Sequence, residues 1–127
     1  MDDVEDGSAV ARLLSQCRRR IDRVQPVDLL RELAAGALVV DIRPVEQRRR
    51  DGDLPGSVVI DRNVLEWRLD PTSPHRWAGA GDPARRTVIV CDEGYSSSLA
   101  AATLHRLGLT DVGDLAGGFQ AWAALRR

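Results

Sequence analysis

Lysine is absent from this 127-residue chain, and all 18 basic residues are arginine. With its many alanines and glycines, that usage reads as the codon bias of a high-GC genome rather than as a functional choice. Charge of one sign is also lacking. Against 19 acidic residues the net charge is -1 and the pI about 6.1, so no broad field favours nucleic acid as a partner. The runs Arg18-Arg19-Arg20 and Arg48-Arg49-Arg50 are interleaved with acids and read as solvated helix surface. No apolar run is long enough for a bilayer, so no membrane span is expected. The opening MDDVEDGSAV is acidic where an export signal is basic and then apolar, which predicts a cytoplasmic protein. Cysteine is scarce. Cys17 and Cys91 are too few for a disulfide scaffold and lack the paired spacing of a zinc site, so no metal is expected. His75 and His105 are the only histidines. His105 lies two turns into the helix after Cys91, which counts against a Cys-His hydrolase.

What is present is enough for one domain with one core. Ser8 is placed to cap a first helix that fades near Asp22, with Val10, Leu13, Leu14, Cys17 and Ile21 as its buried stripe. Cys17 is then a packing residue. The stripe must be buried somewhere, and two readings stand: the Arg-rich helix covers the sheet or its edge, or it docks a partner or the second subunit of a homodimer. Pro26 opens a second helix with Val27, Leu30 and Ala34 on one face and Gly36 as its stop. The unbroken apolar run 37–42 predicts a central parallel strand covered on both faces. A short helix over Pro44–Arg50 and turn residues 51–56 lead to a second strand, Ser57–Ile60. Residues 61–86 give a short helix and a proline- and glycine-broken loop, whose Trp67 and Trp77 read as packing. Strands over 87–90 and 111–115 follow. Leu99, Thr103, Leu104 and Leu107 mark a helix between them that ends at Gly108, and a last helix from Gly118 directs Phe119, Trp122, Ala123 and Leu125 toward the core or its edge. This alternation predicts an α/β fold, a parallel sheet with helices on both faces.

The stretch VIVCDEGYSSSLAA, 88–101, carries the chemistry. Cys91 ends a buried strand, and ligands of open parallel sheets bind beyond the carboxyl ends of the strands. The following helix begins around Ser96–Ser98, so its unpaired N–H groups and positive dipole end favour negative charge on the sulfur, the nucleophilic form. Gly94 allows left-handed torsions, and a turn of N–H groups would cradle an anion beside Cys91.

Four ordered motifs now resemble the rhodanese domain, the sulfurtransferase module. They are Asp41-Ile42-Arg43 with Glu46; Asp53-Leu54-Pro55-Gly56-Ser57; Cys91, Gly94 and Ser97; and Gly117-Gly118 with Trp122. The resemblance covers about residues 24–127 and leaves 1–23 as an N-terminal helical extension. It implies a three-layer rhodanese-like fold and a ping-pong sulfurtransferase that needs no metal or organic cofactor. Cys91 would take sulfane sulfur from a small donor or a protein persulfide and pass it to a thiol acceptor, with Asp92, Glu93, Gly94, Tyr95, Ser96 and Ser97 as the substrate-binding loop. It also implies that Asp41, Arg43 and Glu46 hold the loop through ion pairs and hydrogen bonds.

The loop departs from the family pattern. Ser96 stands where arginine is common, and Asp92 and Glu93 add negative charge, which predicts that thiosulfate, a dianion, is a poor donor unless Arg43, Arg62, Arg68 or Arg76 supplies a cation. The hydroxyls of Ser96–Ser98 either cap the helix or contact the sulfur. Phosphatases of the same fold need an arginine six positions after the cysteine; position 97 is serine, so no loop cation is available to a transferring phosphoryl group. A non-catalytic binding or regulatory module is the alternative.

Overall fold

Residues 6–127 are described by a computed structural model. Ser8 caps α1, Ala9–Arg18, its hydroxyl accepting from the Ala11 N–H. After β1, Asp22–Val24, a 3-10 turn at Pro26–Asp28 leads into α2, Leu29–Ala34. Then come β2, Leu38–Asp41; α3, Val45–Asp51; β3, Val58–Val59; and α4, Leu65–Leu69. The remainder is β4, Thr87–Val90; α5, Ser96–Arg106; β5, Val112–Leu115; and α6, Gly118–Ala124.

The five strands form one sheet in the order β1-β5-β4-β2-β3, with every pair parallel. Residues 38–41 and 87–90 are buried throughout because β2 and β4 are central and covered on both faces. Strand alternation divides the core. Val40, Ile89, Leu65, Ala101 and Leu104 pack together on one side, and Val39, Val88, Val90, Leu29, Phe119 and Trp122 on the other. Helices α4 and α5 therefore cover one face, and α2 and α6 the other. Helix α1 packs against α5.

Several sequence expectations shift. The edge strand β1 was not foreseen; three residues, only one of them buried, carry no period to detect. On α2 the inward residues are Leu29 and half-buried Leu33, while Val27, Leu30 and Ala34 face solvent. The 3-10 turn winds more tightly than an α-helix and rotates the face reckoned from Val27. On α1, Ala11 and Leu14 are buried, Cys17 is half-buried, and Val10 and Leu13 are exposed, because the helix meets α5 along a narrow line. Leu107 and Leu125 are exposed just past the ends of α5 and α6. Trp77 packs against the core, whereas Trp67 is exposed.

Candidate active site

Because β2 and β4 run in parallel and pair Asp41 with Val90, their carboxyl ends emerge together, and Cys91 leaves the sheet beside the Asp41–Arg43 turn. The chain from 91 to 97 curls around the sulfur. The Gly94 N–H donates to Cys91 Sγ at 3.1 Å and the Ser97 N–H, in the first turn of α5, at 3.3 Å. Two aligned donors and the positive end of an eleven-residue helix all favour negative charge on that sulfur.

Glycine makes the curl possible. Gly94 has φ +87°, and a Cβ there would stand 2.7 Å from the Gly117 nitrogen. Gly118, at φ +64°, lies so close under the loop that a Cβ would come within 2.6 Å of the Cys91 and Asp92 carbonyl oxygens. That approach lets the first amides of α6 hold the loop: Phe119 N–H donates to the Cys91 carbonyl at 2.9 Å and Gln120 N–H to the Asp92 carbonyl at 3.0 Å. The paired glycines and the cysteine loop are thus two halves of one contact.

A hollow of about 270 Å³ opens over Cys91, lined by Ile42, Arg43, Pro44, Gln47, Asp92, Glu93, Tyr95 and Ser96. Of the loop residues expected at the site, Asp92, Glu93, Tyr95 and Ser96 line the hollow, while Gly94 and Ser97 reach the sulfur through backbone N–H groups. No histidine lines the hollow; His75 and His105 are both exposed. A larger space of about 760 Å³ beside α1, walled by Cys17, Arg19, Arg20 and Arg106, shares no residue with it.

The hydroxyls of Ser97 and Ser98 neither cap α5 nor touch the sulfur. Both donate to Asp114 Oδ2 at 2.7 Å, beneath the loop. Asp114 is fully buried and also pairs with Arg23, whose Nε lies 3.0 Å from Oδ1. Arg23 Nη2 donates onward to the Gly94 carbonyl at 2.7 Å, and Arg18 Nη2 reaches the same oxygen at 2.8 Å. Arg18 also donates to Ser98 Oγ at 3.0 Å, so it belongs to the loop's foundation rather than to a solvated surface run.

Of the four arginines considered as charge donors, only Arg43 lines the hollow. It is already engaged, with Asp41 at 2.8 Å, the Gly52 carbonyl at 2.9 Å and the Phe119 ring 3.7 Å from its guanidinium carbon. Arg62 pairs with Glu66, Arg68 with the His75 carbonyl and Arg76 with the Ser73 carbonyl. Glu46, expected beside Asp41 and Arg43, is exposed and outside the pair. The loop's first acid is partly neutralised: Gln120 Nε2 donates to Asp92 at 3.0 Å and Arg50 lies 3.7 Å away. The same two residues hydrogen-bond Asp51, and the Arg50 contact holds its carboxyl below the usual carboxylate range.

Arg18, Arg23, Asp114 and Gln120 were not foreseen as site residues. Asp114 did leave a signal, because an acid inside the buried strand VGDL needs a partner. The arginines left none, since their contacts span 71 to 91 residues of sequence.

Comparison with known proteins agrees with this geometry. The model of the rhodanese-like domain matches residues 25–125. Thiosulfate sulfurtransferase GlpE of Pseudomonas aeruginosa is 34% identical over 103 residues, 81% of this chain and 84% of that protein. A Rhodopseudomonas palustris protein of unknown function, described as a possible tyrosine phosphatase, superposes with TM-score 0.85 at 30% identity, covering 94% of this chain and 92% of that one. The human single-domain sulfurtransferase superposes with TM-score 0.69 at 26% identity, covering 80% and 95%. With a family model matching most of the chain and the cysteine, glycine and acid-arginine elements assembled around one sulfur, the chain belongs to the rhodanese-like domain family.

Proposed function

We propose that the protein is a sulfurtransferase that works through a persulfide on Cys91. The observation that carries this reading is the pair of backbone N–H donors on Sγ at the floor of an open hollow. The thiolate attacks the outer, sulfane sulfur of a donor. A new S–S bond forms at Cys91 as the donor's S–S bond breaks, and the electron pair leaves on sulfite from thiosulfate or on a thiolate from an organic or protein persulfide. An acceptor thiolate then attacks the outer sulfur and Cys91 leaves as thiolate, so the cycle needs no outside oxidant or reductant. The loop residues Asp92 to Ser97 surround the incoming sulfur, and Tyr95, nearly half exposed, meets the donor or acceptor body.

The wall favours an organic or protein persulfide over thiosulfate. Glu93 is exposed, Asp92 is acidic, and Arg43, the guanidinium that lines the hollow, is bound to Asp41 with its one unpartnered nitrogen, Nη1, buried, so the lining presents no exposed cation to a dianion. GlpE proteins are named for thiosulfate, and that donor is the comparison to run. Phosphoryl transfer, suggested by the description of the Rhodopseudomonas protein, is disfavoured on the same ground: Ser97 occupies the position a phosphate-binding arginine would need, and its hydroxyl is turned inward to Asp114. The test is sulfur loading. Incubation with polysulfide should add sulfur to the wild type and not to Cys91→Ser, with thiosulfate loading more slowly. A cysteine that no donor loads would turn the reading to a binding module.

A further inference from the structure

The family match begins at residue 25, yet two side chains that grip the sulfur loop come from before it. Resting on the persulfide reading of Cys91, we propose that Arg18 and Arg23 are positioning residues of the sulfur site, anchoring from behind the loop the peptide whose N–H faces the sulfur.

The Gly94 carbonyl is the point of attachment. It accepts from Arg18 Nη2 at 2.8 Å and from Arg23 Nη2 at 2.7 Å. Gly94 carries on its nitrogen one of the two hydrogen bonds to the sulfur. Its backbone torsion of +87° is of the kind only glycine adopts readily, so its carbonyl direction is not set by local preference and needs an outside anchor. Two guanidinium groups provide it, and charged donors make bonds roughly twice as strong as neutral ones.

Behind the loop two guanidinium groups and the Asp114 carboxylate form one connected assembly. Asp114 ties the assembly to the helix by accepting from both Ser97 and Ser98, so Arg23, Asp114 and the first turn of α5 are joined in one hydrogen-bonded network. Arg18 lies 5.8 Å from the Tyr95 ring centre, linking α1 to the side chain at the rim of the hollow. The two guanidinium groups thus fix the Gly94 N–H on the sulfur from behind the loop, and neither lines the hollow.

The test separates this claim from the transfer reading by measuring Cys91 alkylation, which needs no sulfur donor. In a Cys17→Ala background, iodoacetamide labelling at neutral pH is followed by intact mass. Arg18→Gln is expected to slow labelling by about three- to tenfold, the worth of one ordinary hydrogen bond, with the melting temperature unmoved. Where transfer is measurable, kcat should fall by the same factor with KM held, and Arg18→Lys should recover a large part of both. Replacing Arg23 alone would bare a buried carboxylate and endanger folding, so Arg23→Leu is combined with Asp114→Asn and compared with Asp114→Asn alone, with labelling slower in the double variant expected. Labelling unchanged in Arg18→Gln and in the folded double variant would overturn the proposal, whatever the outcome of sulfur loading.

Discussion

Two buried carboxylates flank the sulfur loop, and they are used in opposite ways. Asp41 is gripped by Arg43, two residues along the same turn, and both side chains are sealed from solvent under Phe119. Asp114 is gripped by Arg23 from a strand 91 residues away in sequence and takes both serine hydroxyls of the loop helix. The first pair reaches only the Gly52 carbonyl and the Phe119 ring beyond itself and forms a wall. The second joins the beginning of the chain, the sulfur loop and the far strand, so it transmits the position of one to the others. Equal burial of an acid thus implies equal need for a partner but says nothing about whether the partner matters to the chemistry.

The most severe way to break the arrangement is at the loop's own backbone. Gly94→Ala forces a side chain into φ +87° and against the Gly117 nitrogen; sulfur transfer should fall by more than about a hundredfold, as expected when reacting groups are displaced by an ångström. The comparison of acids comes next. Asp41→Asn and Asp114→Asn should both destabilise, each by up to about 3 kcal/mol because an arginine loses its counter-charge. Transfer by the folded protein should stay within about twofold for the first and drop about tenfold for the second. Equal losses of turnover would erase the distinction between wall and foundation.

The smallest effect lies at the opposite end of the sheet. Asp22 is held below its ordinary value of 3.8 chiefly by the hydrogen bond from Arg86, against a partial desolvation cost. A depressed carboxylate contributes stability above its unfolded value and loses it as pH falls through the folded one. Denaturation of Asp22→Asn should therefore show a deficit of under about 1 kcal/mol, constant from neutral pH to near 4 and shrinking toward zero below it, with sulfur transfer unaffected. A deficit that grew in acid would contradict the assignment.

The parts of the fold legible in the sequence are those that repeat or stand out locally. Runs 38–41 and 87–90 read as central strands because every residue in them is buried; Ser8 and Gly36 marked helix ends through their own chemistry. Cys91 and Gly94 were legible as a site because a thiol at a strand end and a permissive turn are each unusual. What failed depended on rotation or distance. The buried face of α2 turned with its 3-10 entry, and the exposed Val10 and Leu13 of α1 mimic a core stripe. Arg18 stood in a triplet that looks like solvated surface, and only the packing of α1 on α5 brings it to Gly94.

The most direct test of the central claim is intact-protein mass spectrometry of the wild type and Cys91→Ser after separate incubation with polysulfide and with thiosulfate. A sulfur adduct on the wild type alone, formed faster from polysulfide, is the predicted result. An adduct of equal size on Cys91→Ser, or none on either protein from either donor, would contradict transfer through a Cys91 persulfide.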